Sequence, residues 1–291
     1  MYLIEMPLEI RGELARDLEK RSGPYISRID KVIDEAMSLH GSSNFFEPLT
    51  YATKGGKRIR PMILMLSAES VGDSSNKTNL ASVAIELLHT ESIIHDDIID
   101  AQTSRRDRVA FHVKYGYSAS ILTADFVFGI ILDIASRYND TRISRELSLA
   151  ALKMCEGEFR EVMLGPGIKG MSWDDYIKVI SEKTASLFRT ASRLGAIVGS
   201  GSENEIDALS SYGMNLGIAY QIQDDILDWG ENGNIDKSMK SNSNDYVDLE
   251  RLRDEARVYS EKAKNNLNAL GESESRDFLY YLADFTVMRN Y

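Results

Sequence analysis

The sequence predicts a single all-α domain, and three observations carry that prediction. Only five prolines occur in 291 residues. Apolar residues recur at helical spacing over long stretches, and the strict alternation of a half-buried strand is scarce. No charge block or long linker divides the chain, so residues 1–291 are expected to form one domain around one core.

The elements follow in order. Residues 8–39 read as one or two amphipathic helices, with Gly23-Pro24 as a break. Residues 47–71 read as a helical region interrupted by Lys54-Gly-Gly-Lys-Arg-Ile-Arg-Pro61. Residues 72–78 form a polar connection. Residues 80–101 form a helix, and 102–108 a polar, basic loop. Three helices are expected over 118–137, 142–164 and 173–199, and another over 203–229. Residues 230–245, rich in Gly, Asn and Ser, read as a mobile loop. Residues 247–270 and 274–289 look helical. No solenoid period is present.

Composition excludes some functions. A hydrophobic fraction of 43% is that of an ordinary globular protein. A formal net charge of −11 argues against nucleic-acid binding. It leaves an anionic substrate open, because a local basic cluster and a metal can reverse the potential in a cleft. The single Cys155 excludes an internal disulfide and suits a reducing cytoplasm. On its helix it is expected in the core rather than as a nucleophile. No uninterrupted apolar run is long enough to span a bilayer, and residues 1–7 lack the features of a signal peptide. A soluble, cytoplasmic protein without a transmembrane segment is the expectation.

Two short stretches echo each other: Ser92-Ile-Ile-His-Asp-Asp-Ile-Ile-Asp100 and Gln221-Ile-Gln-Asp-Asp-Ile-Leu-Asp228. Residues three and four apart share a helix face. Asp96 and Asp100 therefore project together with Asp97 alongside, and so do Asp224, Asp228 and Asp225. Bunched carboxylates repel, and burying them without a counter-ion is costly. One acidic cluster is usually a solvated face, but two matching clusters flanked by Ile and Leu point to a cation. Oxygen-only ligands suit a hard ion, and Mg²⁺ held partly through water and substrate phosphate fits best.

Other residues could serve the same chemistry. Gly55-Gly56-Lys57-Arg58-Ile59-Arg60-Pro61 joins a flexible turn to three cations able to donate to a phosphate; it could equally be a basic helix start. It is not a P-loop. Arg105 and Arg106 follow the first aspartate set, as phosphate donors or as a solvated pair. His89 lies two helical turns before Asp96, as a phosphate donor or a core histidine. Glu86 and His89 spell one Glu-x-x-His, but a di-iron bundle needs two. Lys183, beside Thr184, either snorkels or points into a cavity. Gln221 shares a face with Asp224, and the oxygens of Thr184 and Gln221 suit stabilisation of a carbocation. No Gly-x-Ser-x-Gly, dinucleotide fingerprint or thiol centre is present.

Together these motifs resemble the trans-polyprenyl diphosphate synthases, the farnesyl and geranylgeranyl diphosphate synthase family. The resemblance runs from about Lys54 to Trp229 with the motifs in family order. It implies an isoprenoid synthase-type helical bundle around a deep central cavity, usually a homodimer. It implies head-to-tail condensation of isopentenyl diphosphate with an allylic diphosphate. Asp96, Asp100 and Asp224 would be the main ligands of about three Mg²⁺ ions, with Asp97, Asp225 and Asp228 as ligands or their supports. Arg105, Lys183 and Lys237 would neutralise the departing diphosphate. Gly56, Lys57, Arg60, His89 and Arg106 would hold isopentenyl diphosphate. Thr184 and Gln221 would face the allylic cation.

The sequence departs from the family pattern after the second aspartate set. Lys237 aligns with an expected Gly-Lys, but Asp236 replaces its glycine, and a second Gly-Lys is missing. Bulky aromatics four and five positions before the first aspartate stop growth at short chains in the family. Ser92 and Glu91 stand there, so the resemblance implies a product of C20 or longer, with C25 within range. A non-catalytic subunit regulating a partner synthase and a terpene cyclase are the alternatives. The intact aspartate sets and basic motif weigh against the first, and Asp-Asp-Ile-Leu-Asp in the second motif weighs against the cyclase.

Overall fold

A computed structural model describes residues 8–72, 76–105, 108–165, 171–231, 247 and 249–289. The fold is helical. Its elements are α1 (Leu8–Ser38), α2 (Phe46–Thr53), α3 (Ile59–Val71), α4 (Asn76–Ile99), α5 (Phe111–Tyr115), α6 (Tyr117–Ser136), α7 (Thr141–Leu164), α8 (Trp173–Ile180), α9 (Ser186–Val198), α10 (Glu203–Glu231), α11 (Leu249–Asn266) and α12 (Glu274–Met288). A π turn, Ser181–Ala185, joins α8 to α9. Two-residue strands β1 (Ser104–Arg105) and β2 (Arg108–Val109) pair antiparallel in a small hairpin after α4.

The centre of the bundle is α3. Met62, Ile63, Leu64, Met65 and Leu66 are all buried, so this helix is apolar around most of its circumference, as a helix enclosed by others must be. Pro61 falls in its first turn, where the missing N–H would have no helical acceptor. Gly195 lets α9 lie against α3: a Cβ there would meet the Leu64 carbonyl oxygen at 2.2 Å. Truncating Leu64 to Ala would cost about 2–5 kcal/mol. Side-chain caps start the outer helices, with Asp140 accepting from the Arg142 N–H on α7 and Ser273 from that of Arg276 on α12.

The helices fall close to their expected places, with four differences. Gly23-Pro24 does not break α1, which runs through both. Ile29, Ile33 and Met37, one turn apart, are buried beyond it and hold the helix on the core, offsetting the one hydrogen bond that Pro24 removes. The helix expected over 173–199 is divided by the π turn. The loop expected over 102–108 contains the hairpin, and α5 follows it. The fourth concerns α6: by length and composition it passes as a membrane span, the one described helix that does. Asp125 and Asp133 break its apolar run in the sequence. One face packs into the core through Val127, Ile131 and Ile134. The other exposes Ile121, Leu122, Phe128 and Leu132.

Candidate active site

A cavity of about 1040 Å³ opens among α4, α6, α7, the π turn and α10. Asp96, Arg105, Lys183, Thr184, Gln221 and Asp224 give part of its wall a polar lining, joined by Arg60 and His89. Leu88, Phe128, Leu152, Met154 and Phe159 line apolar wall.

The first aspartate set does not act as a unit. Asp96 faces the cavity. Burial raises its pKa, and neighbouring Glu158 adds to the rise against the pull of Lys183 and Arg105. Asp97 turns away and is buried, accepting a hydrogen bond from Arg105 Nε at 2.5 Å. Asp100 lies just past the end of α4, exposed, with its N–H on the Asp96 carbonyl at 2.8 Å.

The second set divides in the same way. Asp224 faces the cavity and pairs at 2.7 Å with Arg289, whose side chain is buried. Arg289 also donates to the Tyr220 carbonyl at 2.9 Å and lies over the Tyr220 ring at 4.0 Å. Asp225 turns toward α8. Tyr176 donates to its Oδ2 at 2.5 Å and Gln221 Nε2 to its Oδ1 at 3.0 Å. Burial lifts the Asp225 carboxyl to about 7, while these two hydrogen bonds work in the opposite sense. Asp228 is exposed.

Lys183 and Thr184 sit in the π turn and reach the cavity. A π turn inserts one residue into a helix and re-aims its neighbours, often at a functional site. Gly157 on α7 permits the close approach here, since a Cβ would stand 2.3 Å from the Lys183 backbone nitrogen. The Lys183 ammonium lies 2.5 Å from Glu158 and 2.7 Å from Glu161. Burial opposes its charge, but Asp96, Glu158 and Glu161 outweigh that and raise its pKa. Lys183 therefore points into the cavity rather than snorkelling. Glu158, Glu161, Tyr176 and Arg289 were not singled out from the sequence. Glu158 and Glu161 share a helix face near Cys155, a spacing that could have signalled them; nothing local marks Tyr176 or Arg289.

The basic motif separates its three cations. Gly55 and Gly56 take φ of 79° and 114°, and Arg58 takes 52°, so the chain turns sharply before α3. Arg58 is buried and donates to Asp30 at 2.8 Å, to Glu86 at 2.6 Å and to the Thr53 carbonyl at 2.6 Å. It braces α1 and α4 and is not a phosphate donor, which corrects the sequence reading. The same pairing accounts for Glu86 without any metal. Arg60 does reach the cavity, 3.1 Å from His89 Nε2 and 4.6 Å over the Phe188 ring. Gly56 and Lys57 are exposed on the turn. Arg106, Lys237 and most of the 230–245 stretch lie outside the described residues.

Residues 42–248 match the polyprenyl synthetase family. The chain belongs to that family. It is 30% identical over 294 residues to the geranylfarnesyl diphosphate synthase of Methanosarcina mazei, covering 96% of this chain and 97% of the relative. The crystal structure of geranylgeranyl pyrophosphate synthetase from Pyrococcus horikoshii matches with a TM-score of 0.83 at 28% identity, over 94% of this chain and 99% of the other. A polyprenyl synthase from Caulobacter crescentus, complexed with calcium and isoprenyl diphosphate, matches with a TM-score of 0.81 at 25% identity, over 94% and 97% of the two chains. As a polyprenyl synthetase, the chain is a prenyl-transferring enzyme with the isoprenoid synthase helical fold.

In this polyprenyl synthetase the two residues weighed for product length both line the cavity. Ser92 donates to the His89 carbonyl at 2.9 Å. Glu91 lies 3.3 Å from His95 on its own helix. Its pKa is raised, first by burial and further by Asp125 from α6, with His95 opposing. Cys155 is not in the core, contrary to expectation. It lines the cavity, and burial together with Glu91 and Glu158 pushes its thiol pKa up. That keeps it protonated and poorly nucleophilic.

The cavity wall also fits a divalent metal. Asp96 and Asp224 offer carboxylate oxygens from two separate helices, and the thiol on the same wall, Cys155, has its pKa pushed up and stays protonated. Among the described residues no three potential ligands gather into a cage. That arrangement suits Mg²⁺, which keeps much of its water and completes its shell with substrate phosphate rather than with protein alone.

Proposed function

We propose that this enzyme condenses isopentenyl diphosphate head-to-tail with an allylic diphosphate, with Mg²⁺, to a product of C20 or longer. The observation that carries this is the meeting of Asp96 and Asp224, beside Arg105 and Lys183, on one largely apolar cavity of about 1040 Å³. Charge is handled on one part of the wall, and a hydrocarbon chain has room along the rest. The names of the geranylfarnesyl and geranylgeranyl relatives support the product range, and the calcium-bound relative supports a divalent ion.

Asp96 and Asp224 would hold Mg²⁺ in this reading, with Asp100 and Asp228 at the ends of the two sets, and the ion would supply charge neutralisation that makes the diphosphate a better leaving group. Arg105 and Lys183 neutralise the departing diphosphate as the allylic carbon–oxygen bond breaks. Lys183 exchanges Glu158 and Glu161 for phosphate oxygens as substrate arrives. Arg60 and His89, with Gly56 and Lys57 on the turn, hold the second diphosphate. The isopentenyl double bond then attacks the cation, whose positive carbon faces Thr184 and Gln221. A proton leaves to the released diphosphate, which accounts for the lack of an obvious protein base.

The same reading places a second copy of this chain on the exposed apolar face of α6 and α7 outside the cavity, where Leu122, Leu132, Leu149 and Met163 lie open. Exposed apolar side chains gathered on one face of a lone subunit are a mark of an interface. A cytoplasmic location accords with the lone cysteine.

The test is a product assay with isopentenyl diphosphate, Mg²⁺ and each allylic primer from C5 to C20. A ladder ending at one length of C20 or more is expected, and Ser92→Phe is expected to shorten it. Absence of product with every primer sinks the reading. An unchanged length in Ser92→Phe sinks the assignment of Ser92 alone.

A further inference from the structure

Gln221 and Thr184 meet across two elements, and their hydrogen-bond partners decide which atoms the cavity sees. A glutamine amide has an accepting end and a donating end that look alike in shape, and only its partners distinguish them. Here the partners form a chain of four residues. Tyr176, almost fully buried on α8, donates to Asp225 Oδ2 at 2.5 Å. Asp225, an acceptor when ionised, takes Gln221 Nε2 on its other oxygen at 3.0 Å. Thr184 donates to Gln221 Oε1 at 3.0 Å. Each link leaves the next group one choice.

The consequence is polar. With Nε2 drawn toward Asp225, the Gln221 carbonyl oxygen is turned to the Thr184 side and keeps a second lone pair. The Thr184 hydroxyl has spent its hydrogen on that oxygen and also keeps its lone pairs. Both residues line the cavity. The wall there offers oxygen lone pairs in place of the N–H dipole that a reversed amide would present. A carbon developing positive charge is stabilised by the first arrangement and destabilised by the second. Asp225 is four residues from Gln221 on α10, so one helix face carries both the amide and its lock.

We propose that Asp225 and Tyr176 are positioning residues that fix the Gln221 amide with its oxygen toward the reacting carbon. Asp225 then belongs to the cation-stabilising wall and not to the metal set. The proposal rests on the reading that an allylic cation forms in this cavity.

Asp225→Asn supplies the test, because the variant is isosteric and inverts the logic. The new amide accepts from Tyr176 with its oxygen and turns its NH₂ to Gln221, which must reverse. The expected result is a kcat about 100-fold lower, with KM for both diphosphates and the Mg²⁺ requirement unchanged. Tyr176→Phe is expected to lower kcat about tenfold, the worth of one hydrogen bond to a charged group. Adding Asp225→Asn to Gln221→Leu is expected to cost nothing further, since no amide remains to reverse. A trialkylammonium analogue of the cation, bound with Mg²⁺ and inorganic diphosphate and followed by calorimetry, is expected to bind Asp225→Asn more weakly than the wild type. An unreactive allylic thiodiphosphate with Mg²⁺ is expected to bind both alike. If the two penalties multiply, if the Mg²⁺ requirement moves, or if the ammonium analogue binds both proteins equally, the proposal is overturned and Asp225 is a metal ligand or a mere staple between α8 and α10. A wild type that makes no product from any primer removes the underlying reading and the proposal with it. A wild type that elongates beside an unimpaired Asp225→Asn removes the proposal alone.

Discussion

Asp97 on α4 and Asp225 on α10 hold the same place in their motifs, yet opposite chemistry secures them. Asp97 is paired with a cation, Arg105, which lines the cavity and is about one-third exposed. Asp225 is held by neutral donors, Tyr176 and Gln221. The cavity-facing partners differ in the same direction. Asp96 lies near Lys183, which sits partly exposed on the cavity wall. Asp224 meets Arg289, whose side chain is 4% exposed and tied to the backbone of α10. The cations beside the first set are partly open to the cavity; the one beside the second set is buried. One motif, used twice, thus gives an open side and a buried side.

The largest test of that comparison removes the cavity-facing aspartates. Asp96→Ala and Asp224→Ala are each expected to lower kcat/KM about 10³-fold or more, the scale of losing a preorganised electrostatic contact in a catalytic site. Asp97→Ala is expected to cost far less, because it loosens Arg105 but removes no carboxylate from the cavity wall. Steady-state kinetics at saturating Mg²⁺ measures all three. Equal losses in Asp96→Ala and Asp97→Ala would break the division between facing and bracing residues.

The next test separates the two cations. Lys183→Ala is expected to cut kcat about 100-fold with a small change in melting temperature. Arg289→Ala is expected to do the reverse. Breaking a fully buried ion pair from one side costs about 3–5 kcal/mol. Asp224 is 36% exposed, so a discounted loss of about 2 kcal/mol, or roughly 5 °C in Tm, is expected. Calorimetric melting beside single-turnover kinetics gives both numbers. A thermal loss in Lys183→Ala matching that in Arg289→Ala would mean that the first cation is as structural as the second.

The helices and both aspartate sets were legible because spacing alone carries them: apolar positions at helical period, and acids one and four apart within apolar runs. Which acid faces the cavity was not legible. Asp96 and Asp97 are adjacent, as are Asp224 and Asp225, and what divides each pair is a side-chain partner, Arg105 on Asp97 and Tyr176, 49 residues distant, on Asp225. The basic motif misled for a similar reason. Lys57, Arg58 and Arg60 look alike in sequence, but positive φ at Arg58 swings it inward to Asp30 and Glu86. The π turn left no local mark either. It needs the missing Cβ of Gly157 on another helix. Pro24 shows the converse, a strong local signal overruled by the apolar stripe Ile29, Ile33 and Met37.

The smallest expected effect is a proton. Burial raises the carboxyl pKa of both Asp96 and Asp225, the latter to about 7. A carboxylate whose folded pKa lies above its unfolded value stabilises the fold most at low pH, and that contribution is lost as pH rises through the folded pKa. The unliganded protein is therefore expected to lose stability between about pH 4 and 7 on account of these two groups. Metal needs the ionised form, and of these two carboxyls only Asp96 lines the cavity where Mg²⁺ would bind. Binding of Mg²⁺ with inorganic diphosphate near pH 6.5 is thus expected to release protons from Asp96, and the release fades at higher pH where Asp96 is already ionised. Calorimetry in buffers of different ionisation enthalpy counts those protons. Asp96→Asn is expected to remove its share of the release, and Asp225→Asn to leave the count unchanged. Loss of the release in Asp225→Asn instead would place the metal against the second aspartate of the second motif and reverse the assignment of its two sides.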